Sequence, residues 1–224
     1  MPIRLRQVCL AGMLFFYAIL MQGCSVLAWV GLVCADVATC SDVEFDSFEQ
    51  AWVAPPGARQ QVPLKHIGVA PFIGDMRMAE WWASVLAQAT DRHVVSPAEV
   101  ASRLPPNVLT QLTQSTTNQD DIALAPQVSR DIQADGVLFG RVVSKPPQKG
   151  FWEWKERYPK RLYLHLVSAE GTLLWKAELP FSVVKGTKEV DEEVVKRILL
   201  THIRTHAKEL GWTELGLVAE HAGS

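Results

Sequence analysis

Two histidines four residues apart, His202 and His206, offer the first pattern that could do chemistry. On a helix that spacing turns two imidazoles toward one metal ion. A metal-dependent hydrolase would be built around them. The surrounding residues point elsewhere: both histidines flank the apolar stripe of Ile198, Leu199 and Ile203, no acidic residue stands between them in the metalloprotease arrangement, and Arg204 would oppose a cation. Ser96 and Ser168 lack the strand-to-helix turn that exposes a nucleophilic serine, and no glycine-rich phosphate cradle occurs. Asp120 with Asp121, and Asp191 with Glu192 and Glu193, sit where charges favour helix starts rather than acid–base work. The expectation is a protein that is not an enzyme, with no cofactor and no metal.

Four cysteines all precede the bulk of the chain: Cys9, Cys24, Cys34 and Cys40. A zinc site wants four ligands and this stretch supplies no nearby histidine. Cys34 and Cys40 could form a disulfide in an oxidising compartment, although spacing alone leaves their geometry open.

The segment holding Cys24 carries more information. Arg4 and Arg6 precede an apolar run from Val8 to Met21, the layout of an export signal. The run ends in Leu20, Met21, Gln22, Gly23, Cys24 and Ser25, which resembles a bacterial lipobox. That resemblance implies removal of residues 1–23 and acylation of Cys24, which then anchors the protein in a lipid bilayer. Ser25 after the cysteine, by similarity to enteric lipoproteins, implies the outer membrane with the domain facing the periplasm. Met21 and Gln22 depart from the usual pattern, and apolar sequence resumes from Val26 to Val33. A span of ~20 apolar residues crosses a bilayer, so an uncleaved membrane-anchored binding module is the alternative.

Length and composition frame the rest. The 224 residues are 48% hydrophobic and 21% charged, enough for a core and incompatible with collagen-like or wholly disordered chains. A formal charge of −2 excludes a global basic surface, so nucleic acid is not an expected partner. Residues 24–63 read as a lipidated start and tether with little regular structure, Phe45, Phe48 and Trp52 folding back onto a domain over 64–212; residues 213–224 form a tail.

Within that domain, Ile67 to Phe72 is a short apolar run expected to be a buried strand, and Met78, Trp82, Val85, Leu86 and Ala89 recur at helical spacing. His93 to Val95 is a second strand, and Ser96 with Pro97 starts a short helix. A further helical piece around Val108 and Leu112 leads to a helix from Asp120 toward Gly136, with Pro126 inside it. Val137 to Val143 is a strand, Leu162 to Val167 and Thr172 to Val184 form a hairpin turning at Glu170 and Gly171, and a long helix runs from Val190 toward Leu210. The fold class is therefore α/β: one sandwich domain with a mixed sheet of about five strands flanked by helices, ending in a β-hairpin and a long C-terminal helix.

Three segments in this order carry a resemblance: His66 to Phe72, the stretch IQADGVLFGRV from Ile132 to Val142, and LVSAEGTLLWK from Leu166 to Lys176. Together they resemble a group of bacterial envelope domains, namely the curli-secretion lipoprotein family, the lipoprotein activators of peptidoglycan synthases, the Pel polysaccharide lipoprotein and the TolB amino-terminal domain. Ser168 stands where the group usually has Asp. The resemblance implies a noncatalytic accessory or scaffold in envelope assembly or export, with an envelope protein or glycan as partner and self-association into a homo-oligomer left open.

A basic and aromatic segment between Ser144 and Leu162 supplies the candidate contact site. Trp152, Trp154, Lys155 and Arg157 would form a recognition tip, the rings offering apolar area and the cations favouring anionic lipid, glycan or protein surfaces.

Overall fold

The structure, a computed structural model, describes residues 43–59, 64–146, 157–184 and 191–217. Its strands are β1 (Val43–Phe45), β2 (Glu49–Val53), β3 (His66–Val69), β4 (His93–Val95), β5 (Gly136–Ser144), β6 (Arg157–Ser168) and β7 (Leu173–Val184). The helices are α1 (Pro56–Arg59), α2 (Met76–Ala89), α3 (Pro97–Arg103), α4 (Pro106–Gln114), α5 (Asn118–Ile132) and α6 (Glu192–His206). All seven strands share one mixed sheet in the order β1-β7-β6-β5-β3-β4, with β2 also on β7. β3 runs parallel to β4 and β5, whereas β5, β6, β7 and the β1/β2 edge are antiparallel. This is the expected α/β architecture, with two strands more than the sequence indicates.

Those two strands replace the irregular tether expected before Pro63. Val43 pairs with Val183 and Phe45 with Phe181, then Trp52 with Lys176 and Val53 with Trp175, so β1 and β2 form one interrupted edge strand along β7. Apolar residues drive this: Val43 is buried, and Phe45 and Phe48 pack on the core, while Trp52 stays 40% exposed. Acidic and proline residues hid the strand because an edge partner needs only a few inward side chains.

The sheet separates two apolar layers. On one side α2 and α6 pack over Leu138, Leu162, Leu164, Leu166, Trp175, Leu179 and Phe181. On the other, α3, α4 and α5 cover Val95, Val137, Phe139 and Val167. The alternation of β7 follows directly, with Trp175, Ala177, Leu179 and Phe181 buried and Lys176, Glu178 and Pro180 on the opposite face. Trp175, Trp82 and Trp212 cluster at one end, the Trp175 indole donating to the Leu210 carbonyl at 2.8 Å.

Local chemistry accounts for the helix boundaries. Ser96 accepts from the Glu99 amide with Pro97 in the first turn of α3, and Thr117 and Asp120 form a reciprocal capping box at α5. The amides of Thr116 and Thr117 hold the Asp120 carboxyl below its ordinary pKa. Pro126 lies within α5 without ending it. There the turn glycine Gly171, at φ +83, sits so close to the Ile122 carbonyl and the Pro126 ring that a side chain would crowd both.

Candidate functional site

The segments that resemble envelope domains turn out to be devices of the fold. Asp135 accepts from the amides of Lys65 and His66 at 2.7 and 2.8 Å, fixing the start of β3 against the end of α5. Gly140 lies under Phe72, where a Cβ would come within 2.6 Å of three ring atoms. Ser168 accepts from the amides of Glu170 and Thr172, organising the β6–β7 turn.

The histidine pair also has a structural setting. His202 stacks on Phe48 with ring centroids 5.1 Å apart and lies 4.8 Å from the His206 ring. Burial pushes its pKa down, the neighbouring His206 adds to this, and a hydrogen bond to the Asp46 backbone opposes it. His206 instead contacts Glu209 at 2.8 Å. His202 thus holds the β1–β2 connection against α6. Among the described residues, no group of three or more His, Cys, Asp or Glu side chains is placed to hold a metal ion.

Of the expected recognition tip, only Arg157 belongs to the described residues; Trp152, Trp154 and Lys155 lie outside them, as do Cys24, Cys34 and Cys40. The β5–β6 ladder continues to the pair Ser144 and Lys160, after which the Lys145 amide donates to Pro159 at 2.9 Å. Residues 157–161 of that basic and aromatic segment therefore belong to β6. The Arg157 guanidinium reaches Glu44 of β1 at 2.7 Å, tying the base of this hairpin to the edge strand where the chain enters the sheet. On the other face Lys160 lies 3.7 Å from Asp75.

A second polar locus escaped the sequence reading. The helices on the α5 side leave part of the antiparallel sheet uncovered, and there a cleft of about 290 Å³ is lined by Arg141, Tyr163, His165, Lys176 and Glu178, with Gln50 and Asn118 at its margin. The register explains the grouping, because Arg141 opposes Tyr163, Tyr163 opposes Glu178, and His165 opposes Lys176. His165 is held at its Nδ1 edge by Asp121 at 3.4 Å, and Asp121 accepts from the Ser115 hydroxyl at 2.7 Å. Both side chains of the His165–Asp121 pair are 8% exposed. Arg141 donates to the carbonyls of Ser115 and Thr116, while Arg161 binds Glu178 and lies 3.1 Å from Glu49. Gln50 enters the margin from a left-handed backbone conformation, φ +49, within the irregular pairing of β2. The alternation of Tyr163, His165 and Val167 was legible as one strand face, but the partners from β5, β7 and α5 were not.

The site's parts thus belong to an α/β domain with a half-covered mixed sheet. No protein-family model matches the chain, and no curated protein matches it. Among solved structures it is similar to the lipoprotein GNA1162 of Neisseria meningitidis, at 17% identity and a TM-score of 0.40, over 64% of this chain and 98% of that one. PelC of Paraburkholderia phytofirmans, solved as a dodecamer, aligns at 13% identity and a TM-score of 0.36 over 72% and 93% of the two chains. The hypothetical protein CT253 of Chlamydia trachomatis aligns at 9% identity and 0.38 over 70% and 99%. Among the described residues no helix is long and apolar enough to cross a membrane.

Proposed function

We propose that the chain is a noncatalytic lipoprotein of the bacterial outer membrane, anchored through acylated Cys24, that serves as an accessory or scaffold in envelope assembly or export. The observation that carries this reading is the Gly23–Cys24 pair behind an arginine-led apolar run. More than one acyl chain on the cysteine would give the stable residence that a single chain cannot.

The fold adds a constraint on reach. Val43 is already locked on the sheet edge, nineteen positions after Cys24, so the domain is held within roughly 65 Å of the bilayer even with that stretch fully extended. Arg157 bonds Glu44 of β1, so the base of the β5–β6 hairpin lies beside the first described strand. Trp152, Trp154 and Lys155 would supply the contact with an anionic lipid, glycan or protein surface.

Metabolic labelling with a palmitate analogue tests the reading. Native protein should incorporate label and sediment with outer membranes, and Cys24→Ala should do neither. Equal labelling of the two would remove Cys24 from the account.

A further inference from the structure

Ion pairs do not reach every cation that lines the cleft on the uncovered sheet face. Glu178, its lining carboxylate, is bound by Arg161, and the nearby Asp121 is bound by His165 and Ser115. Arg141 spends its terminal donors on the carbonyls of Ser115 and Thr116, with the Asp120 carboxylate near enough to feel its charge, and its Nε is buried without a hydrogen-bond partner among the described residues. Half-buried Lys176 lines the same cleft. Among the described residues no carboxylate lies within ion-pair distance of Lys176. A cleft walled by protein strengthens the attraction of the Lys176 ammonium for an anion, because the low-dielectric surround screens it less than open water does.

From the unpaired Lys176 and the unpartnered Arg141 Nε we propose that the cleft between Arg141, His165 and Lys176 is a binding site for an oxyanion, a carboxylate or phosphate group carried on a small polar molecule. Lys176 supplies the charge that the ligand neutralises. His165, its cross-strand neighbour, is already oriented by Asp121 and presents a fixed ring edge beside it. Tyr163 adds a hydroxyl, and Gln50 is directed to the margin by its left-handed backbone, a conformation that a non-glycine residue adopts at some cost. The volume of about 290 Å³ exceeds that of a bare anion and leaves room for a body about the size of one sugar ring. The site is independent of the lipid anchor and of the hairpin tip.

The test uses the full chain in neutral detergent micelles, labelled with ¹⁵N-histidine, titrated separately with inorganic phosphate and acetate against chloride at matched ionic strength. The His165 ring resonance should shift and saturate with at least one oxyanion at roughly 1–10 mM, a range set by a few charge-assisted contacts. Lys176→Gln should weaken that binding by about tenfold, whereas Lys196→Gln, on remote α6 and already paired with Glu193, should leave it unchanged. Lys176→Met serves the same purpose if the glutamine variant does not fold. Preference for phosphate or for acetate distinguishes a phosphate ester from a carboxylic acid as the source. No saturable shift up to ~50 mM, an equal response to chloride, or full binding without Lys176 would each overturn the assignment.

Discussion

Replacing Gly140 by alanine tests whether the glycine inside β5 is a packing device. The new Cβ would stand 2.6 Å from three atoms of the Phe72 ring, about 1 Å inside an ordinary contact of ~3.6 Å. Phe72 is 4% exposed within the α2/α6 layer, so its ring has no solvent to swing into. Overpacking of this kind costs ~1–3 kcal/mol, offset by the ~0.5–1 kcal/mol gained when a strand glycine becomes alanine. The net loss should be about 1–2 kcal/mol, or ~2–8 °C in thermal midpoint for a chain of this size. A double-mutant cycle supplies the decisive comparison: in a Phe72→Leu background the smaller, more flexible side chain makes room, and Gly140→Ala should cost little or even stabilise. Gly57→Ala, inside α1 where a Cβ would meet nothing within 4 Å, is the control and should leave stability unharmed or raise it by up to ~1 kcal/mol. Chemical denaturation of the four variants measures the cycle. A Gly140→Ala penalty that is absent, or identical with and without the Phe72 ring, would refute the packing argument.

The His202 setting carries a pH dependence. Because its folded pKa is depressed below 6.5, the unfolded chain binds the proton more readily, so its contribution is intact above about pH 6.5 and declines as pH falls. His202→Phe should flatten that acid limb, and a wild-type minus variant difference constant between about pH 5 and 8 would contradict this. Trp175→Phe removes the donor to the Leu210 carbonyl and some core volume, so a loss of about 2 kcal/mol or more is expected in denaturant unfolding. Trp152→Ala with Trp154→Ala should weaken binding to anionic phospholipid vesicles while leaving the thermal midpoint almost unchanged; a drop of several degrees with normal binding would show that the rings pack against the domain.

The elements that could be read from sequence share a local signal. Ser96 and Pro97 announce α3, the period of Met78, Trp82 and Val85 announces α2, and strict alternation announces β6 and β7. Edge strands β1 and β2 gave no such signal, because three and five residues around Asp46 and Phe48 are too few to set a period. The Asp135 and Gly140 positions carried the family resemblance, yet their roles as a cap on β3 and a seat for Phe72 emerge only from contacts across 69 residues of chain in one case and between neighbouring strands in the other. The cleft was invisible for the same reason. Arg141, His165 and Lys176 come from three strands, and only the register makes them neighbours.

Whether Cys24 becomes the acylated first residue of the mature protein is read from the N-terminal peptide of the protein isolated from cell envelopes. Mass spectrometry after proteolysis should find a chain beginning at Cys24, its sulfur carrying diacylglycerol and its amine carrying a further acyl group. A chain that retains residues 1–23, or that begins at another position with an unmodified cysteine, would contradict the anchor and leave an uncleaved membrane segment or a released protein in its place.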